Sequence, residues 1–171
     1  MHVFWPLNSR YGGRDLAGSY ELDMSLHGVQ FCGDKKMRYP TAYFDGTAQS
    51  HGHVTNIPSN LSLNVMLVLK LDQMEEGTIL HIEFSGSEHT VNFLSIKLMP
   101  YGMFSVLLTI GTCSSAIHHS KFLEVAMWTS VAISVQEETG KVVLWINGVS
   151  LTVDACTMDG LHLSHMWIAG W

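Results

Sequence analysis

The sequence is poor in charged residues and has no strongly basic segment. Charged residues make up 14% of the 171 positions, well below the average of about 25% for a globular domain. Disordered chains need the opposite balance, so a disordered protein is excluded. The net charge of −6 gives no electrostatic reason to expect a nucleic acid or an anionic membrane as the partner. The densest basic cluster, Lys35, Lys36 and Arg38, is predicted to be a solvated loop.

Long apolar runs and a recognisable leader are also missing. No stretch reaches the roughly 18 apolar residues that a membrane-spanning helix requires, so no transmembrane segment is expected. The segment 1–5 has neither a basic start nor an apolar core, so it is not expected to be a signal peptide, although one could precede it. Cysteine is scarce: Cys32, Cys113 and Cys156 fit no zinc-site spacing. One disulfide with one free thiol, or three free thiols, are both compatible with them.

The sequence does contain a two-residue period of apolar side chains in short runs. In the segment 63–71 every odd position is apolar, so these side chains share one face of a predicted strand. Because the even positions Asn64, Met66, Val68 and Lys70 are only half polar, we expect a central strand with cover on much of both faces. The same alternation occurs in Leu80–Phe84, Leu94–Leu98, Phe104–Ile110 and Val131–Val135.

The strongest local signal is a β-hairpin in the segment 142–153. Asn147-Gly148 lies between two alternating strands, and this dipeptide tolerates the positive φ angles of a type I′ turn. Helical signals are weak, and only Ser120 to Met127 could form a turn or two of helix. No repeat or linker divides the chain, so residues 1–171 are expected to form one domain. Many short strands predict an all-β fold of two stacked antiparallel sheets.

Several short segments, in this order, resemble the laminin-G-like and pentraxin-like branch of the concanavalin-A-like jelly rolls. The segments are Phe4-Trp5-Pro6-Leu7, Gly13-Arg14-Asp15-Leu16-Ala17-Gly18, Ala42-Tyr43-Phe44-Asp45-Gly46, 61–71, 128–134, 140–149 and Met166-Trp167-Ile168-Ala169-Gly170. The resemblance implies a two-sheet antiparallel jelly-roll sandwich, a fold that hosts many functions. The chain departs from pentraxins because Met66 and Val131 or Ala132 stand where their core disulfide would be. Their acidic calcium cluster has no match either.

The same resemblance implies a function and a location. It implies a non-catalytic, secreted or extracellular recognition or adhesion module, part of a larger matrix or cell-surface protein. Its partners would be a protein or glycan ligand and the other domains of its parent protein, and calcium would be a possible cofactor. A calcium-dependent carbohydrate-binding lectin is the alternative, followed by a glycan hydrolase of the same fold.

Candidate calcium ligands and modification sites are few. Calcium takes about six to eight oxygen ligands, and Asp45, at a predicted strand end, is the best candidate. The structural alternative is an aspartate that only forms a turn. Asn60-Leu61-Ser62 is an N-glycosylation sequon in a predicted surface loop. Other loop aspartates that could bind calcium are Asp15, Asp154 and Asp159.

Five tryptophans raise the question of sugar stacking. Trp171, at the end of the sequence, is the candidate that we expect to be exposed for binding. Packing in the core is favoured for the others, most of which lie within predicted strands, because an indole buries a large apolar area. These are Trp5, Trp128, Trp145 and Trp167.

Histidine is abundant, with ten copies. His51-Gly52-His53 and His118-His119 could each give two nitrogens to a transition metal. Zinc normally takes about four ligands, and no local spacing fixes a third one here. The favoured alternative is that these histidines face solvent in loops or serve as polar groups on strand faces. They could still titrate near pH 6 and make adhesion pH-sensitive.

Catalytic patterns are missing from the sequence. Retaining glycanases need two carboxylates about 5 Å apart, whereas the acidic run Asp72-Gln73-Met74-Glu75-Glu76 predicts a turn before Gly77. Neither a G-x-S-x-G elbow nor a glycine-rich phosphate loop occurs. A binding function is therefore expected, and no enzymatic one.

Overall fold

The computed structural model describes residues 3–17, 22–57, 63–86, 92–136, 141–154 and 160–169. Thirteen β-strands and one short 3₁₀ turn, Pro100–Gly102, lie within these ranges. The strands are β1 Ser25–His27, β2 Gln30–Cys32, β3 Thr41–Tyr43, β4 His51–Thr55, β5 Leu63–Lys70, β6 Gly77–Ser85, β7 Asn92–Leu98, β8 Met103–Ile110, β9 Cys113–Phe122, β10 Trp128–Gln136, β11 Lys141–Ile146, β12 Val149–Asp154 and β13 His162–Ile168.

The strands form two main antiparallel sheets that share one core. The larger sheet has seven strands in the order β1-β4-β13-β6-β7-β8-β9, and the smaller has four in the order β12-β11-β10-β5. Strands β2 and β3 form a separate two-stranded ribbon. One buried cluster includes Ile82 and Phe104 of the larger sheet together with Ile133 and Leu144 of the smaller. The sheets therefore pack face to face, and the predicted antiparallel jelly-roll sandwich is confirmed.

The predicted strands and hairpin are present. Strands β11 and β12 pair from Ile146–Val149 to Lys141–Asp154. The turn residues Asn147 and Gly148 have φ angles of 48° and 79°, as a type I′ turn requires. The Asn147 side chain also accepts a hydrogen bond from the Ser130 backbone N–H at 2.9 Å. The hairpin is thereby tied to its neighbour β10.

The prediction of a central β5 is wrong. The strand lies at the edge of the smaller sheet, and its outward side chains Met66 and Val68 are 68% and 54% exposed. The odd-numbered side chains Val65, Leu67 and Leu69 pack against the core, as the alternation predicts. The half-apolar even face is therefore an exposed apolar surface, because strand order in a sheet depends on distant pairing partners.

The prediction of a helical turn near 120–127 is also wrong. The chain continues in β9 as far as Phe122 because it stays paired with β8, and Val125 then forms an isolated bridge with Leu71. The basic cluster predicted to be a solvated loop is indeed exposed between β2 and β3. In the described ranges no helix has the length and hydrophobicity needed to cross a membrane. The extent of the domain over residues 1–171 stays a prediction.

Candidate functional site

The outer face of the seven-stranded sheet carries most of the histidines. In β4 the buried Val54 points to the core, so His51 and His53 point outward. Paired residues of antiparallel strands point to the same side, so the register extends this surface across the sheet. Seven of the ten histidines belong to this histidine face: His27, His51, His53, His81, His118, His162 and His165.

Ring contacts join the histidines of neighbouring strands around Trp167. The His53 ring stacks on the indole with centroids 4.5 Å apart and planes only 7° from parallel. The His81 ring lies 5.6 Å from the same indole and 5.4 Å from Phe93. These rings come from β4, β13, β6 and β7, which are adjacent in the sheet. Because stacking occupies ring faces, the imidazoles present their edges to this surface where they are partly exposed, as at His53 and His165, whereas the ring of His81 is buried.

The two histidines of the 51–53 motif have different partners. His53 Nε2 lies 3.3 Å from His165 Nδ1, a hydrogen bond between imidazoles of adjacent strands. The His51 ring stacks on His27 with centroids 4.8 Å apart, and its Nδ1 donates a hydrogen bond to the Ala48 carbonyl at 3.0 Å. The motif therefore shares one face, as expected for polar strand positions, but its two rings do not converge.

Formal charge on the histidine face is small. Glu83 and Lys97 are the charged residues among the described side chains of its strands, histidines aside. Burial lowers the pKa of His81, although Glu83, with Oε1 3.6 Å from His81 Nε2, acts in the opposite direction. Burial, followed by repulsion from His165, also lowers the pKa of His53. Both rings therefore resist protonation and are neutral near pH 7.

The aspartates proposed as calcium ligands have structural roles where they are described. Asp45 Oδ1 accepts hydrogen bonds from the Thr47 hydroxyl at 2.7 Å and the Thr47 backbone N–H at 2.9 Å, and these lower the pKa of Asp45. Asp15 is buried, and its Oδ1 accepts hydrogen bonds from the backbone N–H groups of Phe4 and Ala17. Among the described residues no three His, Cys, Asp or Glu side chains group as a metal cage. Calcium binding stays a prediction.

The tryptophans divide between the core and the two outer faces. Trp5 packs against the core and donates a hydrogen bond from its indole to the Leu22 carbonyl at 2.6 Å. Core packing is wrong for Trp145 and Trp167, because both alternate with buried neighbours and so point outward. Trp128 lies beside Lys70, whose Nζ is 5.8 Å from a ring centroid of the indole.

Several predicted positions lie outside the described residues. These are Asn60, Cys156, Asp159 and Trp171, together with the side chains of His119 and Asp154. His118 is exposed on the histidine face. Cys113 is disulfide-bonded, whereas Cys32 is free and exposed. The alternative of three free thiols is therefore excluded, and the alternative of one disulfide with one free thiol remains.

No protein-family model and no curated protein matches this sequence. Among solved structures, domains LG4-5 of the mouse laminin alpha1 chain match with a TM-score of 0.58 and 14% identity, over 73% of this chain and 33% of that one. A SAP-like pentraxin from Limulus polyphemus matches with a TM-score of 0.53 and 14% identity, over 82% of this chain and 62% of the pentraxin. The fold is a concanavalin-A-like jelly roll. At this identity the likeness shows the fold alone, and the chain spans about a third and about three-fifths of these two structures.

The strand register identifies the residue opposite Met66, which the sequence left open between Val131 and Ala132. Met66 of β5 pairs directly with Ala132 of β10. Ala132, and not Val131, is therefore the residue across from Met66 on the adjacent strand. The side chains at this pair cannot form the disulfide expected there in pentraxins.

Sequence reasoning missed the histidine face as a unit. A local signal existed, because His165 and Trp167 alternate with the buried Met166 and Ile168. That pattern predicts a strand with a polar aromatic face. It does not predict that β13 lies between β4 and β6, which is what brings the rings together.

Proposed function

We propose that this protein is a non-catalytic recognition module whose histidine face binds a glycan. The observation that carries the proposal is the polarity of that face. Large exposed hydrophobic side chains among the described residues lie in loops, in β2 and in the smaller sheet, and none lies on the strands of the larger sheet. A protein interface normally has an apolar centre. A broad surface of imidazole edges, which donate and accept hydrogen bonds, suits a hydroxyl-rich ligand better.

The arrangement of carboxylates supports binding without hydrolysis. Glu83 is the one carboxylate among the described side chains of the histidine face, and it lies beside His81. Glycoside hydrolysis normally uses a pair of carboxylates about 5–10 Å apart. A ligand on this face would therefore meet hydrogen-bonding groups without the acid and base needed to cleave it.

The chain offers a matched pair of tryptophans for the test. Trp167 and Trp145 both point outward, one from each main sheet. We expect the wild-type protein to bind a subset of a glycan array, Trp167→Ala to weaken that binding at least about tenfold, and Trp145→Ala to leave it unchanged. The reason is that Trp167 holds the rings of His53 and His81 in place. Absence of glycan binding, or equal loss in both variants, would contradict the proposal.

Calcium-dependent binding through Asp45 is the second candidate. The hydrogen bonds to Asp45 favour its ionised form, which is the form that calcium binds. We expect millimolar calcium to raise the melting temperature of the wild-type protein and not of Asp45→Ala. A flat response of the wild type would rule this candidate out while leaving calcium-independent glycan binding intact.

We also infer a secreted or extracellular location, which the disulfide at Cys113 supports because disulfides persist in oxidising compartments. A protein ligand and other domains of a parent protein stay predictions. Expression in a secreting cell line, followed by disulfide mapping of the secreted protein, tests the location. Retention of the chain inside the cell with Cys113 reduced would contradict it.

A further inference from the structure

We infer that His53 and His165 form a binding site for a divalent first-row transition-metal ion, held between His53 Nε2 and His165 Nδ1. The inference does not depend on glycan binding. It concerns one pair of rings on the histidine face and takes up the 51–53 motif that the sequence analysis singled out. In the structure, the second nitrogen comes from His165 on another strand and not from His51 of that motif.

The separation of the two nitrogens fits a shared metal ion. They lie 3.3 Å apart. Two imidazole nitrogens that coordinate zinc at about 2.0–2.1 Å in tetrahedral geometry are themselves about 3.3 Å apart. Strands β4 and β13 are paired, so their backbones fix the relative positions of the Cα atoms of His53 and His165. A metal ion could therefore bind without a change in this separation, once each ring has turned so that its lone pair points at the ion and no longer at the other ring.

Replacing the hydrogen bond between the two rings with a metal ion requires only that one proton change its position. In the metal-free protein one imidazole donates its N–H to the other across the 3.3 Å gap. A metal ion needs a lone pair on both nitrogens, so the donor ring must move its proton to its other nitrogen. That is a change of tautomer with no net loss of a proton from two neutral rings. The ion then replaces the hydrogen bond between the rings with two coordinate bonds.

The surroundings of the pair favour a cation and hold the rings. Trp167 stacks on both, with centroids 4.5 Å from His53 and 5.3 Å from His165. Glu83 of β6 lies directly opposite His165 and brings a negative charge to the site. A supported pair loses less rotamer freedom on binding than two free side chains would.

The contacts of His51, rather than distance along the strand, keep it out of this site. His51 is two residues from His53 on the same face of β4, about 7 Å away at a rise of ~3.3 Å per residue, whereas His165 lies opposite Thr55, at the far end of the strand. His51 is also held by Ala48 and stacked on His27. Water would therefore fill the remaining coordination positions. Imidazole suits Zn²⁺, Ni²⁺ and Cu²⁺, with Cu²⁺ bound most tightly in the usual order. Ca²⁺ and Mg²⁺ prefer oxygen ligands.

Calorimetric titration of the full chain with ZnCl₂, in a non-chelating buffer without glycan, tests the site. We expect one Zn²⁺ per chain, and at least about tenfold weaker binding in both His53→Ala and His165→Ala, since each loses one of two nitrogen ligands. His51→Ala is the matched control and should bind within about threefold of the wild type. Cu²⁺ added to the wild type should show coupling to two nitrogens in its electron paramagnetic resonance spectrum.

Three outcomes would overturn the inference. They are the absence of Zn²⁺ binding by the wild type, wild-type affinity in both cross-strand variants, and a loss in His51→Ala as large as in His53→Ala. Melting temperatures of the variants show whether each is folded, and His165→Ala serves alone if His53→Ala does not fold. Because no glycan is present, failure here leaves the proposed function untouched, and failure of glycan binding leaves this result untouched.

Discussion

The outer faces of the two main sheets arise from the same alternation of side chains but have opposite chemistry. On the seven-stranded sheet the outward positions around Trp167 are histidines joined by ring contacts. On the four-stranded sheet they include Met66 and Val68, which are 68% and 54% exposed. Both faces stand on one shared core. The inward residues therefore account for the fold, and the outward residues are free to differ in function.

A polar side chain of the seven-stranded sheet is buried outside the core. His81 is 6% exposed although it points away from the core, because Trp167 and Phe93 lie beside it. Met66, on a similar outward position of the smaller sheet, has no such cover. The histidine face is thus a packed layer with its own internal contacts, whereas the apolar face of the smaller sheet is open at its edge strand.

A large effect is expected at Gly52, where the histidine face meets the core. A Cβ at Gly52 would lie 2.4 Å from Sδ of the buried Met24. Overpacking of a filled core costs about 1–3 kcal/mol, so Gly52→Val should lower the free energy of unfolding by that amount in a urea titration. Gly33 is the control, because a Cβ there meets nothing within 4 Å, and Gly33→Val should change stability by less than about 0.5 kcal/mol. Equal losses of stability in Gly52→Val and Gly33→Val would show that the close approach of Gly52 to Met24 does not matter.

A smaller effect is expected in the pH dependence of stability. The pKa of His81 is lowered in the folded protein, while in the unfolded chain it is about 6.5. As the pH falls through about 6.5, the unfolded chain takes up a proton that folded His81 resists, so the free energy of unfolding decreases. The decrease caused by His81 is complete once the pH is below the pKa of His81 in the folded protein.

His81→Leu should therefore reduce the loss of stability between pH 7.5 and pH 5, measured by urea titration at several pH values. A residual loss should remain because the pKa of His53 is also lowered. His118→Leu, at an exposed position of β9 away from Trp167, controls for the replacement of a histidine on the same face. An unchanged slope in His81→Leu would mean that the buried layer around Trp167 does not resist protonation.

The sequence alone predicts the local parts of this structure well. Alternation is a property of neighbouring residues, so the strands β5–β8 and β10, and the turn at Asn147-Gly148, could all be predicted from it. The position of a strand within a sheet depends on partners far away in the chain. That is why the edge position of β5 was not predicted. It is also why the contact of His53 with His165, 112 residues apart, was not predicted.

The smallest effect is expected at Met66, on the open face. Because its side chain is 68% exposed on an edge strand, Met66→Lys should change the free energy of unfolding by less than about 0.5 kcal/mol. The inward neighbour Leu67 packs against the core, and Leu67→Ala should cost more, about 2 kcal/mol or above. An edge lysine should also lower any self-association seen by analytical ultracentrifugation, since charges on edge strands oppose pairing between chains. If Met66→Lys proves as costly as Leu67→Ala, the smaller sheet must be covered on this side, and its contrast with the histidine face would not hold.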